Sequence, residues 1–126
     1  MSFESILQEI VEQCSGCLGI SLMGSDGIAI AQVQARPEQG STLILDGDIG
    51  TAGVEFASIL AEIRKASDAL GGGAVMETVV TLARFSLLFR QVDEDTLLVL
   101  ALAQDGNLGK ARYLMRRHLL AIRHEM

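Results

Sequence analysis

Two kinds of side chain are scarce in this 126-residue sequence: aromatic ones, and basic ones relative to acidic ones. Aromatic residues make up 4% of the chain, with no Trp and one Tyr, so its core must be aliphatic. Platforms that stack nucleic-acid bases need aromatic rings, and phosphate binding needs a basic face. Because the formal net charge is −6, we expect no nucleic acid among the partners.

Long apolar runs are also missing, although apolar residues form 49% of the chain. The run 97–103 is among the longest, and a membrane-spanning helix needs about 20 such residues. Acidic residues stand near the N-terminus, where a signal peptide carries basic ones. We therefore expect one domain over residues 1–126, with no membrane insertion and a cytoplasmic location, where two cysteines stay reduced.

Charge is divided unevenly along the chain. Residues 1–63 hold nine acids and one base, a net of −8, whereas residues 64–126 hold seven acids and nine bases, a net of +2. Five of the ten bases fall in the last helix-like stretch: Lys110, Arg112, Arg116, Arg117 and Arg123. Such a stretch can steer a charged partner, but the pattern favours a solvated helix face over a dedicated basic site.

Hydrophobic spacing predicts three helices and five strands in the order αββαβββα. The first helix is about 13 residues long, with Ser2 as its N-cap. The predicted strands cover residues 18–23, 28–33, 75–82, 85–92 and 96–103. Asp-Gly at the first strand join and short joins between the last three strands indicate antiparallel hairpins. We expect an α+β fold with a five-stranded, mainly antiparallel sheet and helices on both faces.

Residues 51–70 form the clearest predicted helix, and a triple glycine at 71–73 ends it. Its predicted inward face carries Phe56, Ile59, Leu60, Ile63, Ala66 and Leu70. A second stripe of small apolar residues, Val54, Ala57 and Ala61, lies elsewhere on the same helix. Small side chains allow another helix to approach closely, but exposed alanine is common in any helix. The spacing alone leaves both interpretations open.

Residues 34–50 form a polar, glycine-containing segment with the single proline of the chain, Pro37. This composition predicts a loop. Residues 43–45 are apolar and fit either a short strand or a loop anchor. The pattern does not decide between the two.

Cys14 and Cys17 form a C-x-x-C pair. Redox pairs place the first cysteine at a helix N-terminus, where the helix dipole stabilises the thiolate. The predicted first helix ends at Cys14, which is the opposite end. A structural zinc site needs four ligands, and the two histidines, His118 and His124, are remote in sequence. Two small buried residues are therefore favoured over a redox or metal site.

The segment 106–111 follows a predicted strand and opens a helix, as a phosphate-binding P-loop does. That motif requires four residues between its glycines, whereas two separate Gly106 from Gly109, and Ala111 stands where Ser or Thr is needed. Three consecutive acids in the turn 93–95 cannot easily converge on one ion, so a solvated turn is favoured over a cation site. No nucleophile and base are paired by spacing. We expect no cofactor, no metal, no catalytic residue and no enzyme activity.

Three stretches of the sequence resemble the Roadblock/dynein light chain superfamily. They are 19–30, which is similar to the opening hairpin of the family, 79–92, similar to its central hairpin, and 105–112 (Asp-Gly-Asn-Leu-Gly-Lys-Ala-Arg), similar to its strand-to-last-helix joint. The predicted element order resembles the family over nearly the entire chain. Within it, the sequence looks most like the bacterial branch typified by MglB, the partner of the Ras-like GTPase MglA.

The resemblance implies a homodimer and a GTPase partner. In the family, the third strands of two subunits pair into one continuous sheet, and the second helices lie side by side and dock small GTPases. The implied dimer-interface residues here are Val54, Ala57, Ala61, Met76, Thr78 and Val80. The implied GTPase-docking residues are Glu55, Ser58, Glu62 and Lys65. In the MglB type, the dimer stimulates GTP hydrolysis by repositioning residues of the GTPase itself, without donating an arginine.

Three functional hypotheses follow from the sequence. The first is a homodimeric regulator that binds a Ras-like small GTPase and modulates its hydrolysis of GTP. The second is a structural adaptor of the same fold without an effect on hydrolysis. The third is a thiol-dependent enzyme that uses Cys14 and Cys17, a pair that the family pattern lacks. The 34–50 segment is also longer than a minimal member needs.

Overall fold

Three helices and five strands follow one another in the predicted order in the computed structural model, which describes residues 2–35 and 49–126. The helices are α1 (Phe3–Gln13), α2 (Ile49–Leu70) and α3 (Leu108–His124). The strands are β1 (Cys17–Gly24), β2 (Ala29–Gln34), β3 (Glu77–Thr81), β4 (Phe85–Asp93) and β5 (Thr96–Ala103). The α+β order is confirmed, and the undecided segment 43–45 lies outside the described residues.

The five strands form one sheet in the order β2-β1-β5-β4-β3, and every neighbouring pair is antiparallel. β5 lies in the centre and all eight of its residues are buried, which its almost purely aliphatic sequence allows. β3 lies at one edge and, among the described strands, pairs with β4 alone. Its five residues are half-buried or exposed.

One face of the sheet is covered by α1 and α3 together, and we call it the closed face. Its core joins Ile10 of α1 and Leu114 of α3 to strand residues such as Leu100, all 0% exposed. Burying aliphatic side chains of this size stabilises the fold by about 1.5–3 kcal/mol each. Hydrophobic spacing predicts an apolar face of Phe3, Ile6, Leu7, Ile10, Val11 and Cys14 for the first helix and an inward face of Leu108, Ala111, Met115, Leu119 and Ile122 for the last. All of these side chains are buried except Phe3 and Leu108, which are half-buried against the same core.

Side-chain caps begin both helices of the closed face. The Ser2 hydroxyl accepts a hydrogen bond from the Ser5 backbone N–H at 3.2 Å, as predicted. The Asn107 side chain accepts one from the Lys110 N–H at 2.9 Å. These bonds satisfy backbone donors that the helix itself leaves free.

The opposite face carries α2, and we call it the α2 face. Its core is smaller and includes Leu60 of α2, Phe89 of β4 and Val99 of β5. Phe56 packs on Phe89 with ring centroids 5.5 Å apart. The helix begins at Ile49, two residues before the predicted start, and β3 is shorter at both ends than the predicted 75–82.

The backbone of α2 rests directly on the turn between β1 and β2. Gly27 in that turn has φ +87°, and a Cβ atom there would lie 2.7 Å from the carbonyl oxygen of Gly53 in α2. Neither the dihedral nor the approach suits a side chain, so glycine is required at position 27. Within residues 2–35 and 49–126, no helix has the length and apolarity needed to cross a membrane.

Candidate protein-binding surface

The helix α2 is long but poorly buried, which sets it apart from α1 and α3. Three of its 22 residues, Ile49, Gly53 and Leu60, are buried. The prediction that Ile59, Ala66 and Leu70 point inward is wrong, because Ile59 is 50% and Leu70 is 85% exposed, and Ala66 is exposed as well. Apolar residues thus extend beyond the arc of α2 that the sheet covers.

The predicted GTPase-docking residues lie along the outward side of α2. All four, Glu55, Ser58, Glu62 and Lys65, are exposed. Lys65 Nζ lies 3.2 Å from Glu62 Oε1, in a pair whose side chains are 75% and 72% exposed. A pair this exposed contributes little to folding, so both groups are available to a partner.

The predicted dimer-interface residues on α2 form a stripe whose continuation faces β3. Val54 is 62% exposed, whereas Ala57 and Ala61 are half-buried. Arg64 continues the same helical spacing. It lines a shallow pocket together with Val75, Thr78 and residues of the core. The pocket therefore places Arg64, the next position of this spacing, beside β3.

The predicted interface residues on β3 and just before it point to the same side of the sheet. Met76 is 50% exposed, and Thr78 and Val80 are half-buried, with Val80 packed against the core of the α2 face. The Met76 carbonyl accepts a hydrogen bond from the Gln91 N–H at 3.1 Å, which extends the ladder with β4. The other edge of β3 has no strand beside it in the described chain, and such edges pair readily with another strand.

The two cysteines of the C-x-x-C pair are free and buried at the C-terminal end of α1. Burial raises the pKa of Cys17 to about 12, with a further contribution from the neighbouring Cys14. Burial also raises the pKa of the Cys14 thiol, and the charge of Lys110 opposes this only in part. Reactive cysteines need a lowered pKa and access to solvent, and this pair has neither.

Groups of metal ligands are not found either among the residues that the structure describes. No three or more His, Cys, Asp or Glu side chains there come together as a metal site. His118 is buried between α1 and α3, where its Nδ1 is 2.8 Å from the Leu114 carbonyl and its Nε2 is 3.7 Å from Glu9 Oε2. The contact with Glu9 joins α3 to α1, whereas the contact with Leu114 lies within α3.

Sequence reasoning missed several exposed apolar side chains. Ile59 and Leu70 were expected inside the fold, and Ile28 and Ile30 of the first hairpin are 66% and 52% exposed. A helical or strand pattern marks a residue as apolar but does not say whether its own sheet or a partner covers it. The described molecule therefore offers apolar and charged side chains on helix surfaces, an arrangement suited to binding proteins.

Comparison with solved structures gives three informative matches. MglC from Myxococcus xanthus is 36% identical, with 100% of each chain covered and a TM-score of 0.66. A Roadblock/LC7 domain from Streptomyces avermitilis is 16% identical, with 98% of this chain and 96% of that chain covered and a TM-score of 0.79. The gliding protein MglB from Thermus thermophilus is 22% identical, with 91% and 81% covered and a TM-score of 0.77. The last two likenesses concern the fold alone.

Scans against protein-family models and against curated proteins give no match.

Proposed function

Because the chain belongs to the Roadblock superfamily, among its MglB- and MglC-like members, we propose that it is a homodimeric regulator of a Ras-like small GTPase. The observation that carries the proposal is the poor burial of α2, which keeps three of 22 residues inside the fold. Some apolar residues of α2 lie outside the side that packs on the sheet. A partner protein that covers these residues would remove them from water and stabilise the helix.

The homodimer joins two copies through β3 and α2. Pairing of β3 with its copy satisfies the backbone groups along the free edge and makes one continuous sheet. The stripe of Val54, Ala57 and Ala61 then faces its copy across the junction, a placement supported by Arg64, which continues the stripe and lies beside β3. Small side chains let the two helices approach closely. Val54, which is 62% exposed in the single chain, then becomes buried between the two helices.

The GTPase binds the outward side of the paired α2 helices. Glu55, Ser58, Glu62 and Lys65 supply polar and charged contacts of both signs there. The effect on hydrolysis comes from the shape that this surface imposes on the GTPase, since these four residues include no arginine and no activated nucleophile. The protein thereby regulates the reaction without catalysing it.

A phosphate-release assay tests this function. The purified chain is mixed with the Ras-like GTPase of the same organism, and release is followed after GTP loading. We expect faster release with the unaltered chain. Reversing the charge of Glu55 or Glu62 to Arg removes an outward acid, and we expect a loss of about tenfold in affinity.

Glu12→Arg is the matched control, because Glu12 is an exposed acid on α1, which covers the closed face. It changes the net charge by the same amount and is expected to leave both binding and release unaltered. Binding without acceleration would replace the regulator with a structural adaptor. Absence of binding would contradict the proposed function, and an equal loss with Glu12→Arg would contradict the position of the docking surface.

A further inference from the structure

The outward face of α3 carries positive charge without any acid. Leu108–His124 contains no Asp or Glu, whereas the chain as a whole has a net charge of −6. Five basic residues project from its exposed side: Lys110, Arg112, Arg116, Arg117 and Arg123. Their concentration on one helix of an acidic protein makes a local field that attracts negative groups.

Two large side chains lie between the basic residues on this face. Tyr113 is 53% exposed and Leu120 is 65% exposed, and their spacing of seven positions aligns them along α3. Lys110 Nζ lies 5.7 Å from the centre of the Tyr113 ring. Tyrosine and arginine are enriched at the centres of protein–protein interfaces. The α3 surface, defined by these seven side chains, therefore combines apolar contact with positive charge.

A pocket at one side of the α3 surface holds three arginines and one carboxylate. Arg90, Arg112 and Arg116 line it together with Glu77 and residues of the core. Arg112 Nε donates to Glu77 Oε1 at 2.6 Å. Glu77 and Arg90 are direct partners in the β3–β4 ladder, where opposite charges commonly pair. Here the Glu77 carboxylate pairs with Arg112 of α3 and not with Arg90.

Arg90 is consequently left without a counter-charge among the described residues. Its Nε is buried and has no hydrogen-bond partner in that part of the chain. Buried donors are nearly always satisfied in native proteins, so an unsatisfied one needs an explanation. Arg116 and Arg117 also have no ion pair with a described residue. Arg112, by contrast, pairs with Glu77, and Arg123 donates a hydrogen bond from its Nε to the Val92 carbonyl at 2.8 Å.

We propose that the α3 surface and the Arg90 pocket bind an acidic segment of a partner protein. Carboxylates of the segment bind Arg116 and Arg117, at the mouth of the small pocket that Arg90 and Arg116 line, and an apolar residue packs between Tyr113 and Leu120. The planar guanidinium group suits a carboxylate in two parallel hydrogen bonds, and Arg112 on the same helix already pairs with the carboxylate of Glu77.

An acidic protein segment fits these observations better than a nucleic acid or a membrane does. Nucleic-acid binding relies on an extensive basic footprint, whereas the chain as a whole is acidic and half of its ten basic residues lie on this one helix. A helix that lies in a membrane surface buries a broad apolar side. The apolar side of α3 is already used against the sheet, which leaves Tyr113 and Leu120 outside.

The proposal is independent of the GTPase, because α3 and α2 lie on opposite faces of the sheet. Its test uses a short fluorescent peptide of repeated Glu-Glu-Leu units and the unaltered full chain. Fluorescence anisotropy is expected to show binding that weakens with added salt. A peptide of repeated Gln-Gln-Leu units is expected not to bind, because it offers no carboxylates.

Charge reversal locates the site on the molecule. Arg116→Glu and Arg117→Glu are each expected to weaken binding of the acidic peptide by about tenfold. Arg116→Lys keeps the charge but loses the planar fork, so an intermediate affinity is expected. Lys65→Glu is the matched control, since Lys65 is an exposed base on α2 and its reversal is expected to leave peptide binding unaltered.

Several outcomes would overturn the proposal. Absence of peptide binding, equal binding of the Gln-containing peptide, or an equal loss with Lys65→Glu would each contradict it. Tighter binding of a single-stranded DNA oligonucleotide, or of vesicles that contain phosphatidylserine, would identify a different class of ligand. Light scattering that shows smaller assemblies for Arg116→Glu, with no peptide bound to the unaltered chain, would make a second copy of this chain the occupant.

Discussion

The two faces of the sheet are covered to different degrees. On the closed face, α1 and α3 meet each other, and Ile10 is 0% exposed. On the α2 face, a longer helix leaves Ile59 50% exposed. Helix length and apolar content therefore do not measure burial, because the geometry of the sheet limits how much of one helix it can cover. The uncovered remainder of α2 is where we expect a partner.

A matched pair of isoleucine substitutions measures this difference most directly. Ile10→Ala on the closed face is expected to lower the free energy of unfolding by about 2–5 kcal/mol, because a fully buried side chain leaves a cavity. Ile59→Ala on α2 is expected to cost less than about 1 kcal/mol. Urea denaturation at low protein concentration measures both. Equal losses would show that the α2 face is as closed as the other.

The contact of α2 with the first hairpin can be broken at Gly27. Gly27→Ala is expected to destabilise the fold by about 2–3 kcal/mol, because a methyl group there meets the backbone of α2 at a positive φ. Gly73→Ala is the control, since Gly73 has φ +80° but nothing within 4 Å of its added Cβ. It isolates the conformational cost, about 1 kcal/mol. Similar melting temperatures for both variants would refute the close approach.

Charge on the small-residue stripe tests whether a copy of the molecule completes the α2 face. Ala61→Glu is expected to raise the dimer dissociation constant by about tenfold or more, because the contact would desolvate a carboxylate. The same outcome is expected for Ala57→Glu. Ala66→Glu, an exposed position on another side of α2, serves as the control. Light scattering that finds the same dimer mass for all three would place the interface elsewhere.

Burial of Cys17 in the core of the closed face is expected to make the stability of the fold depend on pH at alkaline values. The thiol of Cys17 ionises near pH 9 when the chain is unfolded, but burial raises its pKa to about 12 in the fold. Between these values the unfolded state has lost a proton that the native state keeps. Stability should therefore fall as pH rises, by up to about 1.4 kcal/mol per pH unit. Cys17→Ala should flatten this slope, and an unchanged slope would assign it to other groups.

The sequence supports the fold well because most elements satisfy a local rule. The local signals act within a few residues: the two short apolar runs and Asp-Gly turn of the first hairpin, the caps Ser2 and Asn107, and the glycines after α2. Periodicity also identified the inward residues of α1 and α3, because each of these helices buries one stripe. Such rules need no knowledge of the rest of the molecule.

The binding surface could be predicted only through the family resemblance, and the errors on α2 explain why. Ile59, Ala66 and Leu70 have the same spacing as the buried Leu60 and its neighbours, so periodicity assigned them all to one inward face. Which of them the sheet reaches depends on where α2 crosses it, a property set by the Gly27–Gly53 contact. The Arg90 pocket was missed for a similar reason, since its residues come from separate elements.

The strand order has a consequence for how the chain matures during synthesis. The ribosome makes β1 and β2 early. However, β1 pairs with β2 on one side and with β5 on the other, so Gly19 cannot pair with Ala101 until β5 has been made. Until the ribosome has added β5, the first hairpin and α1 expose the aliphatic residues that later form the closed face. Non-local pairing of this kind slows folding and leaves nascent chains open to aggregation. Chaperones that shield apolar segments would therefore act on residues 1–95, about the first three quarters of this polypeptide.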